Sequence, residues 1–213
     1  GGSLSNRAGR MSWSEIRAVL LDLLSALAHA HARGVIHRDI KPGNVLIDKV
    51  AKLTDFGLAH AMHLAGGVNE ATPGGTPSYM APEQFRGSWR SYGPWTDLYA
   101  LGCLGWALAT GRAPFPGKVW SEVMESQLTQ APPPFLTHIS VPLGFESWLR
   151  RLLRKDRRRR FQTAADAAHA LDQLDDVVLE PAHPQALPPD VLEDKSTMLN
   201  ECDDPSTTTL VAT

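Results

Sequence analysis

Two short runs, Val45-Leu46-Ile47 and Ala51-Lys52-Leu53, constrain this chain more than any other feature. They read as two strands joined by a tight turn around Asp48 and Lys49, and the polar residues cluster at the two open ends of that pair. His37-Arg38-Asp39-Ile40-Lys41-Pro42-Gly43-Asn44 precedes the first strand, and Asp55-Phe56-Gly57 follows the second. An antiparallel hairpin brings its outer ends together, so Asn44 and Asp55 are expected side by side. A carboxamide oxygen next to a carboxylate suits a hard cation such as Mg²⁺, which keeps its other positions for water and phosphate. Asp39 and Lys41 project from the same loop. A carboxylate there can orient and deprotonate a hydroxyl, and an ammonium can offset charge on a phosphoryl group in transfer.

The rest of the chain reads as helix. Ser12-Trp13-Ser14-Glu15 has the form of a capping box, after which Ile16, Leu20, Leu23, Leu24 and Leu27 recur at helical spacing and Gly34 stops the run. Further helices are expected from Thr96 to Thr110, from Val119 to Thr129, from Phe145 to Lys155, and from Thr163 onward with Ala167, Ala170, Leu171 and Leu174 on one face. Residues 58–75 show no period and read as a loop. The expected fold class is mainly α, with one small β-hairpin.

Composition narrows the class. The chain has 213 residues, 43% apolar and 21% charged, which is globular, and two cysteines a hundred residues apart (Cys103, Cys202) read as reduced thiols of a cytoplasmic protein. The longest apolar run, Leu98 to Ala109, is short of the ~20 residues a membrane span requires. Residues 181–213 carry a net charge of −5 with five prolines, leaving +3 for the rest. The expected organisation is therefore a folded domain over 1–178 and an acidic tail or linker over 179–213.

Taken together in order, the motifs resemble the C-terminal lobe of a eukaryotic-type Ser/Thr protein kinase. His37-Arg38-Asp39 with Asn44 resembles the catalytic loop, and Asp55-Phe56-Gly57 the metal-binding turn. Gly75-Thr76-Pro77-Ser78-Tyr79-Met80-Ala81-Pro82-Glu83 resembles the end of the activation segment. Asp97 to Gly102, Thr110 to Phe115, and Asp156 to Phe161 resemble later landmarks, so the likeness covers roughly residues 1–175. It implies ATP and Mg²⁺ as cofactors and a protein as substrate. It implies Asp39 as the base, Lys41 on the γ-phosphate, Asn44 and Asp55 on the metal, and Leu46 under the adenine. It further implies that Arg38 faces a phosphorylated loop residue, with Thr72 the candidate, and that Thr76 bridges Asp39 and Lys41. His37 and Phe56 are expected to be structural, Glu83 to pair with Arg160, and Asp97 to anchor the catalytic-loop backbone.

The likeness begins where the small lobe of such a kinase should end. The sequence has no G-x-G-x-x-G, and none of its six lysines precedes the catalytic loop. The first methionine is Met11, so a chain opening Gly-Gly-Ser reads as a fragment or a processed product. With half a crevice, the 213 residues alone are expected to bind ATP poorly and transfer phosphate slowly. Two rival functions arise. One is a non-catalytic kinase-like module that docks a substrate, the missing lobe or another kinase. The other is nucleic-acid binding by the basic run Arg150 to Arg160, disfavoured because such runs are usually solvated helix ends and Arg160 has a partner under the resemblance.

Overall fold

The computed structural model describes residues 2–56, 77–87, 89–174 and 178–179. Helix α1 (Trp13–His31) begins as its sequence dictates. The Ser12 backbone N–H donates to the Glu15 carboxylate (2.8 Å) and the Glu15 N–H to the Ser12 hydroxyl (3.3 Å), satisfying two donors that a helix start leaves bare. Its apolar stripe, Ile16, Leu20, Leu23, Leu24 and Leu27, is fully buried.

The hairpin forms with strands β2 (Val45–Ile47) and β3 (Ala51–Leu53), in the register Val45↔Leu53. It is one strand larger than expected, because β1 (Gly2–Ser3) pairs antiparallel with β2 along its other edge. A two-residue strand carries no alternation, so nothing in the sequence marks it. Asp22 on α1 accepts the Ala51 N–H at 2.8 Å and pins the hairpin to the helix.

Helix α2 (Pro82–Phe85) is a single turn, and α3 (Pro94–Thr110) is the central element. Every residue of α3 from Thr96 to Ala109 is buried. Gly111, with φ +84°, ends it in the left-handed conformation that glycine adopts without penalty. Helices α4 (Trp120–Thr129), α5 (Phe145–Leu152) and α6 (Ala164–Asp172) follow. Helix α3 packs close on α5, since a Cβ placed on Gly102 would meet the Leu152 Cβ at 2.8 Å. Helix α1 packs against both α3 and α6.

Helix α5 stops at Leu152, not at Lys155 as the pattern predicts. The reason is tertiary: the buried Arg160 guanidinium takes the Arg154 carbonyl (2.7 Å) and the Lys155 carbonyl (3.2 Å), bending the chain away from its helix. A second unanticipated sheet joins β4 (Val141–Pro142) to β5 (Val178–Leu179). Among the described residues no helix is long and apolar enough to cross a membrane. Cys103 is a buried free thiol, and Cys202 lies outside the described residues.

Candidate active site

Apart from one 3-10 turn at Pro42–Asn44, the loop between α1 and β2 has no regular structure of its own, so its shape comes largely from side chains on other elements. Asp97, fully buried in the first turn of α3, supplies most of it. Its Oδ2 accepts the His37 backbone N–H and its Oδ1 the Arg38 N–H, each at 2.8 Å. Oδ2 also receives His31 Nε2 at 2.8 Å, from the last turn of α1. Arg38 is held at φ +71°, a conformation that costs a non-glycine residue about 1–3 kcal/mol unless its surroundings enforce it. The enforcement is visible on both sides: Asp97 takes its N–H, and Gln84 Nε2 donates to its carbonyl at 2.8 Å.

His37 ties this loop to the far end of the hairpin. Its Nε2 lies 2.9 Å from the Thr54 carbonyl, which can only accept, so Nε2 carries the proton. Its Nδ1 accepts the Asp39 N–H at 3.3 Å. The buried ring packs against Phe56, tilted by 53° with centroids 4.5 Å apart, while Phe56 itself stays 40% exposed.

The reactive groups meet at the surface of this framework. Asp39 Oδ2 accepts from Lys41 Nζ (2.7 Å) and Asn44 Nδ2 (2.9 Å), and Asn44 Nδ2 also reaches the Asp39 carbonyl (2.8 Å). The Asp39 and Lys41 side chains retain 20% and 25% exposure. Asp39 is therefore positioned but not sealed in, and one of its oxygens has no protein donor among the described residues. Across the hairpin mouth, Thr54 N–H donates to the Asn44 carbonyl at 3.0 Å. The Thr54 hydroxyl sits 3.3 Å from both that carbonyl and Asp55 Oδ2, and its one proton can be donated to either. Asp55 is exposed, at φ +61°. Asn44 has turned its amide nitrogen to Asp39, and its side-chain oxygen has no protein donor among the described residues. Two hard oxygen donors and open space fit Mg²⁺, which takes few protein ligands and completes its shell with water and phosphate. Among the described residues there is no group of three or more His, Cys, Asp or Glu side chains that could hold a metal ion.

Glu83 and Arg160 form the expected pair, as a fork of 2.8 and 2.9 Å at buried positions. Thr96 Oγ1 donates to the same carboxylate at 2.9 Å, and Trp95 O accepts from the guanidinium at 3.0 Å. Leu46 is 43% exposed on β2. Thr72, Thr76 and Gly57 lie outside the described residues; Asp39 and Lys41 contact each other directly, and Arg38 lies over the Tyr92 ring at 5.7 Å.

Sequence reasoning passed over His31, Thr54, Gln84 and Gln127. Gln84 carried a signal: it stands three residues after Ala81 at the start of a Pro-initiated turn and accepts the Ala81 N–H at 2.8 Å, the back-reach of a capping box. Gln127 had none. It is a buried polar residue on α4 that accepts from Tyr99 and donates to the Ser78 carbonyl (2.9 Å), fixing the segment that leads into α2.

Comparisons with known proteins show what the sequence is similar to. The chain is similar to "Probable serine/threonine-protein kinase PknB" of Bifidobacterium longum, 35% identical over 163 residues, covering 74% of this chain and 23% of that protein. It is 39% identical over 134 residues to serine/threonine-protein kinase PknA of Mycobacterium tuberculosis, covering 62% and 31%. It is 35% identical over 161 residues to serine/threonine-protein kinase PrkC of Bacillus subtilis, covering 74% and 24%. The chain thus spans about a quarter to a third of the length of these relatives. The family model described as protein kinase domain matches residues 2–172, and by that match the chain belongs to the protein kinase family.

Proposed function

We propose that this chain is the catalytic-loop lobe of a Ser/Thr protein kinase, moving a phosphoryl group from ATP to a hydroxyl of a protein. The observation that carries the reading is the Asp39 carboxylate, held by Lys41 and Asn44 through one oxygen and open at the other. That free oxygen is the acceptor for the substrate hydroxyl: it orients the nucleophile and takes its proton as the bond to phosphorus forms. Lys41 spends one of its three donors on Asp39 and has the others for the γ-phosphate, where its charge opposes the charge that builds in transfer. Asn44 and Asp55 would hold Mg²⁺, which supplies charge neutralisation at the phosphates when bound. Leu46 offers an exposed apolar surface for the adenine face. Thr76 is assigned the bridge between Asp39 and Lys41, and Thr72 the phosphorylated partner of Arg38.

The 213 residues include no Gly-rich loop and no lysine ahead of Lys41. We therefore assign them the large lobe only, with slow phosphotransfer by themselves and a small lobe as the partner that completes the crevice. The test is transfer of radiolabelled phosphate from ATP to a Ser/Thr-rich protein, with and without a homologous small lobe supplied in trans, against Asp39→Asn. The expected outcome is weak transfer alone, faster transfer with the added lobe, and loss of about 10²–10⁴-fold in Asp39→Asn, the usual worth of a positioned base. Equal rates with and without Asp39 overturn the reading. Turnover near the ~1–100 s⁻¹ of complete kinases by the chain alone overturns the assignment of a lone large lobe.

A further inference from the structure

The basic run from Arg150 to Arg160 does not behave as one surface. Arg150 is consumed by Glu146 (2.6 Å) and the Pro132 and Pro133 carbonyls (3.2 and 2.9 Å). Arg151 lies over the Phe161 ring, 3.8 Å from its centre, and Arg160 is buried on Glu83. What remains is local. A cleft of about 210 Å³ opens between α2 and the turn Arg157–Arg159, lined by Glu83, Arg86, Lys155, Asp156, Arg157 and Arg158.

The charge in this cleft is unbalanced. Of its two acids, Glu83 already faces the Arg160 guanidinium and the Thr96 hydroxyl. Asp156 has one oxygen on the Arg158 backbone N–H (3.0 Å) and the other 3.9 Å from Arg159. Four cationic side chains therefore face the same space with little to oppose them. They are also unequal in order. Arg157 is pre-set, donating to the Ser91 carbonyl at 3.3 Å with its guanidinium 5.9 Å from the Trp95 ring centre. Lys155 is held over the Phe115 ring at 3.9 Å and donates to Tyr99 and Ser126. Burial, with a smaller contribution from Arg160, holds its ammonium down to about 8. The Arg86 and Arg158 side chains have no hydrogen-bond or ion-pair partner among the described residues and stand free at the rim.

We propose that this cleft binds the phosphoryl group of a phosphorylated serine or threonine presented by a partner protein. Several planar forks around one small space match a group with three acceptor oxygens and nearly two negative charges, whereas a single carboxylate is satisfied by one fork. The volume accommodates about seven waters at ~30 Å³ each, enough for a phosphoryl group with its first methylene but not for a nucleotide. The site lies beside α2, directly after the segment 77–80 that Gln127 holds in place.

The experiment is fluorescence anisotropy of the full 213-residue chain with a labelled Ala/Gly peptide carrying one central phosphothreonine. Its arms are the same peptide unphosphorylated, the same peptide with glutamate in place of phosphothreonine, and a single-stranded RNA oligonucleotide as competitor. The expected result is binding at least about tenfold tighter to the phosphopeptide than to either other peptide. Arg86→Glu and Arg158→Glu should each weaken it at least tenfold, with Arg158→Gln intermediate. Both arginines are exposed, so thermal melting of the variants should match the parent and separate lost binding from lost fold. Equal affinity for the glutamate peptide, equal competition by RNA, or binding unchanged in both charge reversals overturns the proposal.

Discussion

Asp97→Asn is the substitution that tests the architecture of the catalytic loop most directly. It preserves size and shape and changes one oxygen into an amide nitrogen. The carboxylate accepts three hydrogen bonds, two on Oδ2 from His37 N–H and His31 Nε2, and one on Oδ1 from Arg38 N–H. The best arrangement available to asparagine keeps its oxygen at the Oδ2 position and turns its NH₂ toward the Arg38 N–H, donor against donor. One charge-assisted bond is lost, about 1.5–3 kcal/mol, and a buried N–H is stranded, about 1–3 kcal/mol. A loss of about 3–5 kcal/mol in folding stability is expected, read as the shift in urea midpoint at constant m-value. Arg38 is the weak point, since among the described residues its left-handed backbone is gripped only by Asp97 and Gln84. Once Asp97 lets go, the loop can relax and Gln84 has less to hold. Gln84→Ala should therefore cost less in the Asp97→Asn background than alone, with a coupling of about 0.5–3 kcal/mol. A single-variant loss below about 1 kcal/mol, or strict additivity of the pair, refutes the view that these two side chains enforce the loop.

Glu83→Gln should destabilise by about 3–5 kcal/mol, because it leaves a buried guanidinium facing a neutral group; adding Arg160→Met should recover part of that loss, and urea melts of the single and double variants check both. Stability should also depend on alkaline pH in a defined way. Lys155 titrates near 8 in the fold against 10.5 in the free chain, so between those values the unfolded chain binds more protons and stability rises with pH. Cys103, pushed up by burial from 9 to about 12, acts oppositely from pH 9 upward, because only the unfolded thiol ionises there. The urea midpoint should climb from pH 7.5 to about 9 and then stop climbing. Lys155→Met should remove the climb, and a midpoint falling steadily across that range in the parent chain refutes the assignment.

Much of this molecule was legible because its signals are local. Ser12 and Glu15 announce a helix start, Gly111 a helix end, and the runs at 45–47 and 51–53 a hairpin whose open ends set Asn44 and Asp55 together. The features missed are those a local reading has no means to register. Strands β1, β4 and β5 are two residues each, too short to show a period. The early end of α5 depends on carbonyls claimed by Arg160, several residues further on. In the sequence, the arginines from 150 to 160 look alike. The fold gives one to a carboxylate and two carbonyls, lays one on an aromatic ring, buries one in an ion pair, and leaves others facing a cleft.

The same contrast explains how the site keeps its shape. Its two left-handed non-glycine residues, Arg38 and Asp55, lie on the two chain segments that the hairpin brings together. Between them sits His37, buried, donating through Nε2 to Thr54 O next to Asp55 and accepting through Nδ1 from the Asp39 N–H next to Arg38. An imidazole that donates at one nitrogen and accepts at the other satisfies both left-handed segments at once. A phenyl ring could fill the same volume and pack against Phe56, but it would leave the Thr54 carbonyl and the Asp39 N–H without this partner. The histidine therefore couples the geometry of the Asp39 backbone to that of the Thr54–Asp55 segment.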